Sequence, residues 1–397
     1  DTRSVNAIQM IGKLGSKNLS FAGQTAMVMD HYSPPPNEEA AQIHTTMRAF
    51  AKETGTKLYD IGEGICHQVL PEGGHLTCGD LTVGTDTHSV TYGAFNAFGT
   101  GIEGTDVSAV MTSGKIWLRV PETIRVELKG PLQAGVWAKD LTLFMLGKFG
   151  AEGLNYKAIE YVGSGVAAMD IDDRMTLCNH AAELGAKAAI LEADEKTLQW
   201  LQAHGAKPPQ PVKADQDAVY VQSIVVDTAQ LAPQVARKHQ VDDIVSAHEV
   251  THQKIQFALI GTCTNGRLDD IRQAAAILKG RQLAPGVRMI VTPASRKIYL
   301  DALREGLIEI LTMAGASFEA AGCGTCVGIT NHLVPGNGDT VISTANRNFA
   351  GRQGPGSRTH ISSPIVAAAA ACAGFIVDPN QMESKELNND CFGNIKW

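Results

Sequence analysis

Long apolar runs, a basic surplus, aromatic side chains and closely spaced cysteines are all scarce in this sequence, and each scarcity removes a class of protein. The longest mostly apolar stretch, "PIVAAAAACAGFIV" from Pro364, falls short of the roughly 20 residues that a membrane-spanning helix needs, and it is largely alanine. No membrane span is expected. Lys and Arg number 34 against 41 Asp and Glu, giving a formal charge of -7, and aromatics make up 6%. That balance offers no electrostatic footprint for a phosphate backbone, so no nucleic acid partner is expected. Eight cysteines without dense regular spacing do not resemble a secreted disulfide scaffold. The first residues, "DTRSVNAIQM", lack the basic and apolar regions of a secretory signal. A reducing cytoplasm is the expected location.

What is present is a repeated strand-then-helix pattern. At 397 residues the chain exceeds one ordinary core and predicts two or three units. "TAMVMDH" reads as a strand, and after three prolines "NEEAAQIHTTMRAFAKETG" places Ile43, Met47 and Phe50 at helical spacing. Asn37 is the expected cap of that helix and Gly55 its stop. "LTVGTDTH", "FALIGTCTNG", "VRMIVTPAS" and "DTVISTANRN" are further strands, followed by helical or glycine-rich segments. Such alternation predicts α/β layers with largely parallel sheets. The proline-containing stretch "HGAKPPQPVKADQD", residues 204–217, reads as a boundary, and the expected division is 1–121, 122–216 and 217–397.

Open α/β sheets bind ligands at the carboxyl ends of their strands. Asp30 and His31, Asp86 and His88, Cys263 and Asn265, and Asn346 and Arg347 all fall at such ends. Capping and turn chemistry is the ordinary reading of any single one, but four ends together are harder to dismiss. "GCGTCVG", residues 322–328, then sets Cys323 and Cys326 in a loop of almost bare backbone. A redox dithiol should open a helix directly after a strand, whereas this motif follows an Ala-rich helical segment. Gly322, Gly324 and Gly328 allow backbone amides to approach a bulky anionic group, as glycine-rich loops do around phosphates and iron–sulfur clusters. Cys263, in the glycine-flanked turn "GTCTNG", is the expected third thiolate. A four-iron cluster held by three cysteines leaves one iron open to a substrate oxygen; zinc on three cysteines stays an alternative. The cysteines at 66, 78, 178, 372 and 391 have no partner at ligand spacing and are expected to be incidental.

"GICHQVLPEGG", "VGTDTHSVTYGAF", "GTCTNGRLDDIR", "GCGTC" and "NRNFAGR", in this order, resemble the aconitase superfamily, most closely the family of 3-isopropylmalate dehydratase large subunits and their homoaconitase-like relatives. The resemblance runs over nearly the whole chain. It implies three-layer α/β/α domains with mostly parallel sheets around a central 4Fe-4S cluster on Cys263, Cys323 and Cys326. It also implies a hydro-lyase that dehydrates and rehydrates a hydroxy di- or tricarboxylic acid, most of all in leucine biosynthesis, with homocitrate-type, dimethylmalate or citraconate-type acids as alternatives. Its histidine–carboxylate pairs carry over as Asp30 with His31, His67 with Asp86, and His88 with Glu160. His31 is then the candidate acid. Arg347 and Arg352 carry over as substrate-carboxylate binders, a task that suits the planar guanidinium, and Asn265, Asn346 and Thr87 as further substrate contacts. The family's base is a serine on a swivelling carboxyl-terminal domain, for which the residues after "GFIVDP" leave no room. The resemblance therefore implies a separate small subunit, without which this chain is expected to be nearly inactive, and an entry into the shared pattern partway through its first unit.

Two rivals come from other classes. "GTGIEG", residues 99–104, matches G-x-G-x-x-G, but it follows "TYGAFNAF" rather than a β-branched strand and has no ribose-binding acid at the expected distance. A nicotinamide-dependent oxidoreductase is therefore disfavoured. A non-catalytic relative or an RNA binder conflicts with the full set of thiols and with the acidic balance.

Overall fold

The computed structural model describes residues 1–15, 19, 21–328 and 334–382; Cys391 lies outside the described residues. Helix and strand alternate along the chain, as the hydrophobic pattern predicts. The helix Glu38–Thr54 begins where the Asn37 side chain accepts from the Ala40 amide at 2.9 Å and ends at left-handed Gly55. Ala40, His44, Met47 and Ala51 form its buried face.

Two short parallel pairs lead the chain, Ala26–Val28 with Lys57–Tyr59 and Leu81–Gly84 with Phe98–Gly101. The glycines of "GTGIEG" have a packing cause. A Cβ on Gly99 would lie 2.2 Å from the Ser89 carbonyl oxygen, and one on Gly101 would lie 2.9 Å from that of Asp86. The 3-10 turn Thr87–Phe95 rests directly on this strand, so only glycine fits.

A four-stranded, wholly parallel sheet follows, ordered Ala188–Leu191, Ala158–Val162, Thr123–Lys129, Gln222–Asp227. Its last strand lies beyond the stretch 204–217. That stretch is fastened to the earlier part of the chain: Asn96 accepts from the Val212 amide at 2.7 Å and donates to its carbonyl at 3.0 Å. The sheet unit thus runs past residue 216, because a proline-rich composition reports an irregular backbone and not a loose one.

The largest sheet has seven strands, ordered Ile244–Ser246, Gln234–Ala236, Arg358–Ser362, Thr340–Ser343, Phe257–Ile260, Arg288–Val291, Ser317–Phe318. Among the described residues, Gln234–Ala236 pairs antiparallel with both its neighbours, and the remaining pairings of this sheet are parallel. The inner strand Phe257–Ile260 is buried on both faces, Phe257 and Leu259 in one apolar cluster, Ala258 and Ile260 in another. The apolar run from Pro364 becomes the helix Pro364–Ala373, buried all round against this sheet and the helix Leu268–Leu278. Its alanines permit that close approach, and among the described residues no helix is long and apolar enough to cross a membrane.

The helix Ile171–His180 bridges the sheets. Arg174 on it is wholly buried and forms a two-point ion pair with Asp194, the cap of the helix Glu195–Ala203. Asp194→Ala is expected to cost roughly 2–3 kcal/mol, short of the loss for a fully buried pair because its side chain is 39% exposed. The hydrogen bonds from Arg174, together with Thr197, hold this carboxyl down at about 2. Its contribution is therefore full above the ordinary aspartate range and fades as pH falls toward 2. Urea denaturation of the variant and the parent at pH 7 and pH 3 measures both effects.

Candidate active site

The strand Ala26–Val28 delivers Asp30 and His31 to a cavity of about 540 Å³ that Cys66 and Asp86 also line. Asp30 is buried; its Oδ1 meets His31 Nδ1 at 2.9 Å and its Oδ2 accepts from the Cys66 amide at 3.0 Å. Burial pushes the Asp30 carboxyl up, but His31 and the Cys66 amide more than reverse this and hold it well below the usual carboxylate range. For His31, burial favours the neutral ring, yet Asp30 and Asp86 raise it to about 9.

Asp86 caps the turn Thr87–Phe95 by accepting from the His88 amide at 2.7 Å. The same carboxylate gathers three imidazoles: His67 Nε2 at 3.0 Å, His88 Nδ1 at 3.3 Å and His31 Nε2 at 3.5 Å. Burial opposes its ionisation, and His67 and His88 overcome that, so it stays ionised well below the ordinary range. The expected pairs Asp30–His31 and His67–Asp86 are thus in contact.

The expected partner of His88 is not. Glu160 lies within the strand Ala158–Val162 and accepts from the Tyr220 hydroxyl at 2.9 Å. His88 Nε2 instead meets Glu183 Oε1 at 2.9 Å. Glu183 also receives Arg347 Nε at 3.2 and 3.1 Å. Burial raises this carboxyl, but His88 and Arg347 bring it to about 2, a buried anion shared by an imidazole and a guanidinium. Glu183 follows the helix Ile171–His180, four positions after Asn179. The signal for either in the sequence is this polar pair at helical spacing, with His180 between them, in the run "NHAAELGA".

Asn179 is a second residue the sequence reading missed. Wholly buried, it donates to Thr91 Oγ1 at 2.9 Å and accepts from Thr264 Oγ1 at 3.0 Å and Asn346 Nδ2 at 2.9 Å. It therefore joins the turn after Asp86, the turn of Cys263 and the turn of Arg347.

The thiols meet these groups. Cys263 follows the strand Phe257–Ile260, and Asn346 Nδ2 stands 3.7 Å from its Sγ. Burial raises the Cys263 thiol, and His88, with His67 behind it, reverses this to about 6. The Cys323 amide donates to the Asp30 carbonyl at 2.8 Å, and its Sγ lies 3.9 Å from His31 Nδ1. Arg352 donates to the Cys326 carbonyl at 3.0 Å, with Nη2 3.6 Å from Cys326 Sγ. Burial first, then the charges of Asp30, Cys263 and Cys326, push the Cys323 thiol up; all three thiols therefore share one electrostatic neighbourhood. Gly324, at φ +55°, would carry a Cβ 2.4 Å from Thr292 Oγ1, and Gly328, at φ +60°, one 2.4 Å from the Gln353 carbonyl carbon. Only glycine lets this loop fold so closely under its cysteines.

This donor set suits an iron–sulfur cluster. The three thiols are free, soft ligands for iron, and each sulfur has a nitrogen donor near it, the kind of contact that tunes such clusters. Asn265 gives its amide nitrogen to Asp270 at 2.8 Å, while the carbonyl oxygens of Asn265 and Asn346 are buried with no partner among the described residues. Arg347 and Arg352 are both half-buried. Thr87 is exposed and lines a larger neighbouring cavity of about 940 Å³, whose walls hold no thiol or histidine.

Comparison with known proteins places nearly the whole chain beside named relatives. The chain is 45% identical over 379 residues to a probable 3-isopropylmalate dehydratase large subunit of Methanothermobacter thermautotrophicus, covering 95% of this chain and 90% of that protein. It is 42% identical over 383 residues to a probable methanogen homoaconitase large subunit of Methanosarcina mazei, covering 96% and 97%. The 3-isopropylmalate dehydratase large subunit 1 of Thermotoga maritima is 45% identical over 374 residues, covering 93% and 88%. Among solved structures, the holo-form of aconitase X from Thermococcus kodakaraensis superposes with a TM-score of 0.52 at 12% identity, covering 87% of this chain and 79% of that one, and so shares the fold. The profile of the aconitase family (aconitate hydratase) matches residues 16–374, and the chain belongs to that family.

Proposed function

We propose that this chain is the large subunit of an iron–sulfur hydro-lyase that interconverts 3-isopropylmalate and 2-isopropylmalate in leucine biosynthesis, in the reducing cytoplasm, with a small subunit completing its site. The observation that carries the reading is the meeting of Cys263, Cys323 and Cys326 with a continuous array of histidine–carboxylate pairs at the strand ends. These cysteines are the residues to hold a 4Fe-4S cluster. When bound, the cluster supplies a Lewis acid that polarises the substrate's hydroxyl and carboxylate oxygens.

The chain's own residues do the rest. In dehydration a C–O bond and a neighbouring C–H bond break, a C=C bond forms and water leaves; rehydration returns hydroxyl and proton in exchanged positions. His31, oriented by Asp30 at 2.9 Å, delivers a proton to the departing oxygen. Asp86 and Glu183 fix His67 and His88 in one orientation. Arg347 and Arg352 receive the substrate's carboxylates, and the open oxygens of Asn265 and Asn346 accept from its hydroxyl or from water. The base that takes the carbon-bound proton belongs to the small subunit.

The homoaconitase reading is the alternative, since the relative of that name is matched over 97% of its length. Anaerobic purification with a co-expressed small subunit, followed by assay on isopropylmalates, homocitrate, dimethylmalate and citramalate, tests the assignment; conversion of none of them contradicts it. His31→Ala should lower kcat by about 10²–10⁴-fold, the usual loss for a proton-transfer group, with little change in iron content. Loss of iron with kcat per cluster preserved would make His31 a structural residue.

The ligating atoms of Asp30, His31 and Cys323 also lie within 4.8 Å of one another, a set that a single zinc ion could take. That set is already engaged, because Asp30 is held by His31 and the Cys66 amide, and it leaves Cys263 and Cys326 without a task.

A further inference from the structure

Lys139 stands on the helix Ala138–Phe149, which otherwise buries Leu141, Leu143, Met145 and Leu146. Its side chain is wholly buried, and its ammonium donates to the carbonyls of Thr344 and Ala345, each at 3.0 Å. Those peptides carry the chain from the strand Thr340–Ser343 directly into Asn346 and Arg347. Thr344 is also tied sideways: its hydroxyl accepts from the Gly261 amide and donates to the Gly261 carbonyl, both at 3.0 Å. Gly261 is the root of the Cys263 turn. One buried amine therefore grips the base of the two turns that present Cys263, Asn346 and Arg347.

Packing alone does not call for it, because a methionine fills similar volume without burying a charge. A buried ammonium persists where fixed anions and acceptors compensate it. Burial pushes the Lys139 amine down to about 7 against the opposing pull of Cys263, Glu183, Asp270 and Asp140, and its two N–H donations to the Thr344 and Ala345 carbonyls hold these peptides in either protonation state.

We propose that Lys139 is a positioning residue: by clamping the Thr344 and Ala345 peptides it sets Asn346 and Arg347 over Cys263 for the binding of a substrate carboxylate. The proposal rests on the functional reading above. It predicts a defect in binding rather than in chemistry or cluster assembly. Lys139→Met, co-expressed with the small subunit and loaded with iron anaerobically, should keep parental circular dichroism and iron content. Its KM should rise about tenfold or more, with kcat within about threefold, the split expected when ground-state placement of a charged contact is lost. The substrate-induced change in the electron paramagnetic resonance of the reduced cluster should weaken in parallel. A KM within about twofold of the parent at full iron content overturns the proposal. So does a fall in thermal stability and iron content that leaves the KM of the loaded fraction unchanged.

If the methionine variant does not accumulate, Lys139→Gln, which keeps one donor, should show a KM between parent and about tenfold. A parental KM in that variant, or failure of both variants to fold, also overturns it. A parent complex that holds no iron contradicts the functional reading itself, whereas an active parent with unaltered variants contradicts this proposal alone.

Discussion

Glu183→Ala should lower kcat/KM by about 10³-fold or more while the protein still folds and still loads iron. This carboxylate accepts from His88 Nε2 at 2.9 Å and from Arg347 Nε at 3.1 Å, so its removal frees an imidazole of the histidine–carboxylate array that also orients Asp86 and His31, and a substrate-binding group, together. Loss of an oriented acid–base group costs about 10²–10⁴-fold, and a released guanidinium adds to that through misplacement of the substrate. A 10³-fold loss corresponds to about 4 kcal/mol of transition-state stabilisation. Glu183→Gln keeps an acceptor oxygen without the charge and should fall between parent and alanine variant, with its larger change in the pH profile. Steady-state kinetics with iron content as control decides the matter. A Glu183→Ala enzyme within about tenfold of the parent would remove the His88–Glu183–Arg347 node from the machinery.

The second large effect concerns the metal. Cys326→Ser should abolish cluster retention, and with it activity, while changing folding stability by less than about 1 kcal/mol. Cys326 is only partly buried, on the short turn Gly324–Val327, and serine is nearly isosteric with it, so little core contact is lost. Its sulfur is approached by Arg352 Nη2 at 3.6 Å, and hydroxyl for thiol replaces a soft iron ligand by a poor one. Iron and sulfide per chain after anaerobic loading and gel filtration, with circular dichroism alongside, separate this result from misfolding. Retained iron and activity would place the cluster, or whatever metal is bound, on other residues.

Much of this site was readable in the linear chain because its parts sit at strand ends, and strand ends are marked by a switch from apolar runs to turn residues. Asp30, Asp86, Cys263 and Asn346 announce themselves in that way. The Asn37 cap and Gly55 stop were equally local, each a single residue whose chemistry fixes its backbone. Glu160 failed for the opposite reason. Which carboxylate meets His88 depends on two segments far apart in sequence, and the parallel pairing of Ala158–Val162 with Thr123–Lys129 turns Glu160 toward Tyr220 instead. Asn179 and Lys139 escaped because they ride on helices, and Glu183 on the 3-10 turn Ala181–Leu184 that follows one, where polar side chains ordinarily mark a solvated face. Here the helices Ile171–His180 and Ala138–Phe149 lie between sheets, so the same residues point into the molecule. The proline-rich stretch 204–217 shows the same limit, since only the contacts with Asn96 reveal that it is fastened.

The most direct test is Mössbauer spectroscopy with iron and sulfide analysis of the anaerobically loaded chain paired with its small subunit, before and after a hydroxy-acid substrate is added. A 4Fe-4S stoichiometry, with one iron whose parameters change on substrate addition, is the expected result. A colourless protein that holds stoichiometric zinc and no sulfide would contradict it.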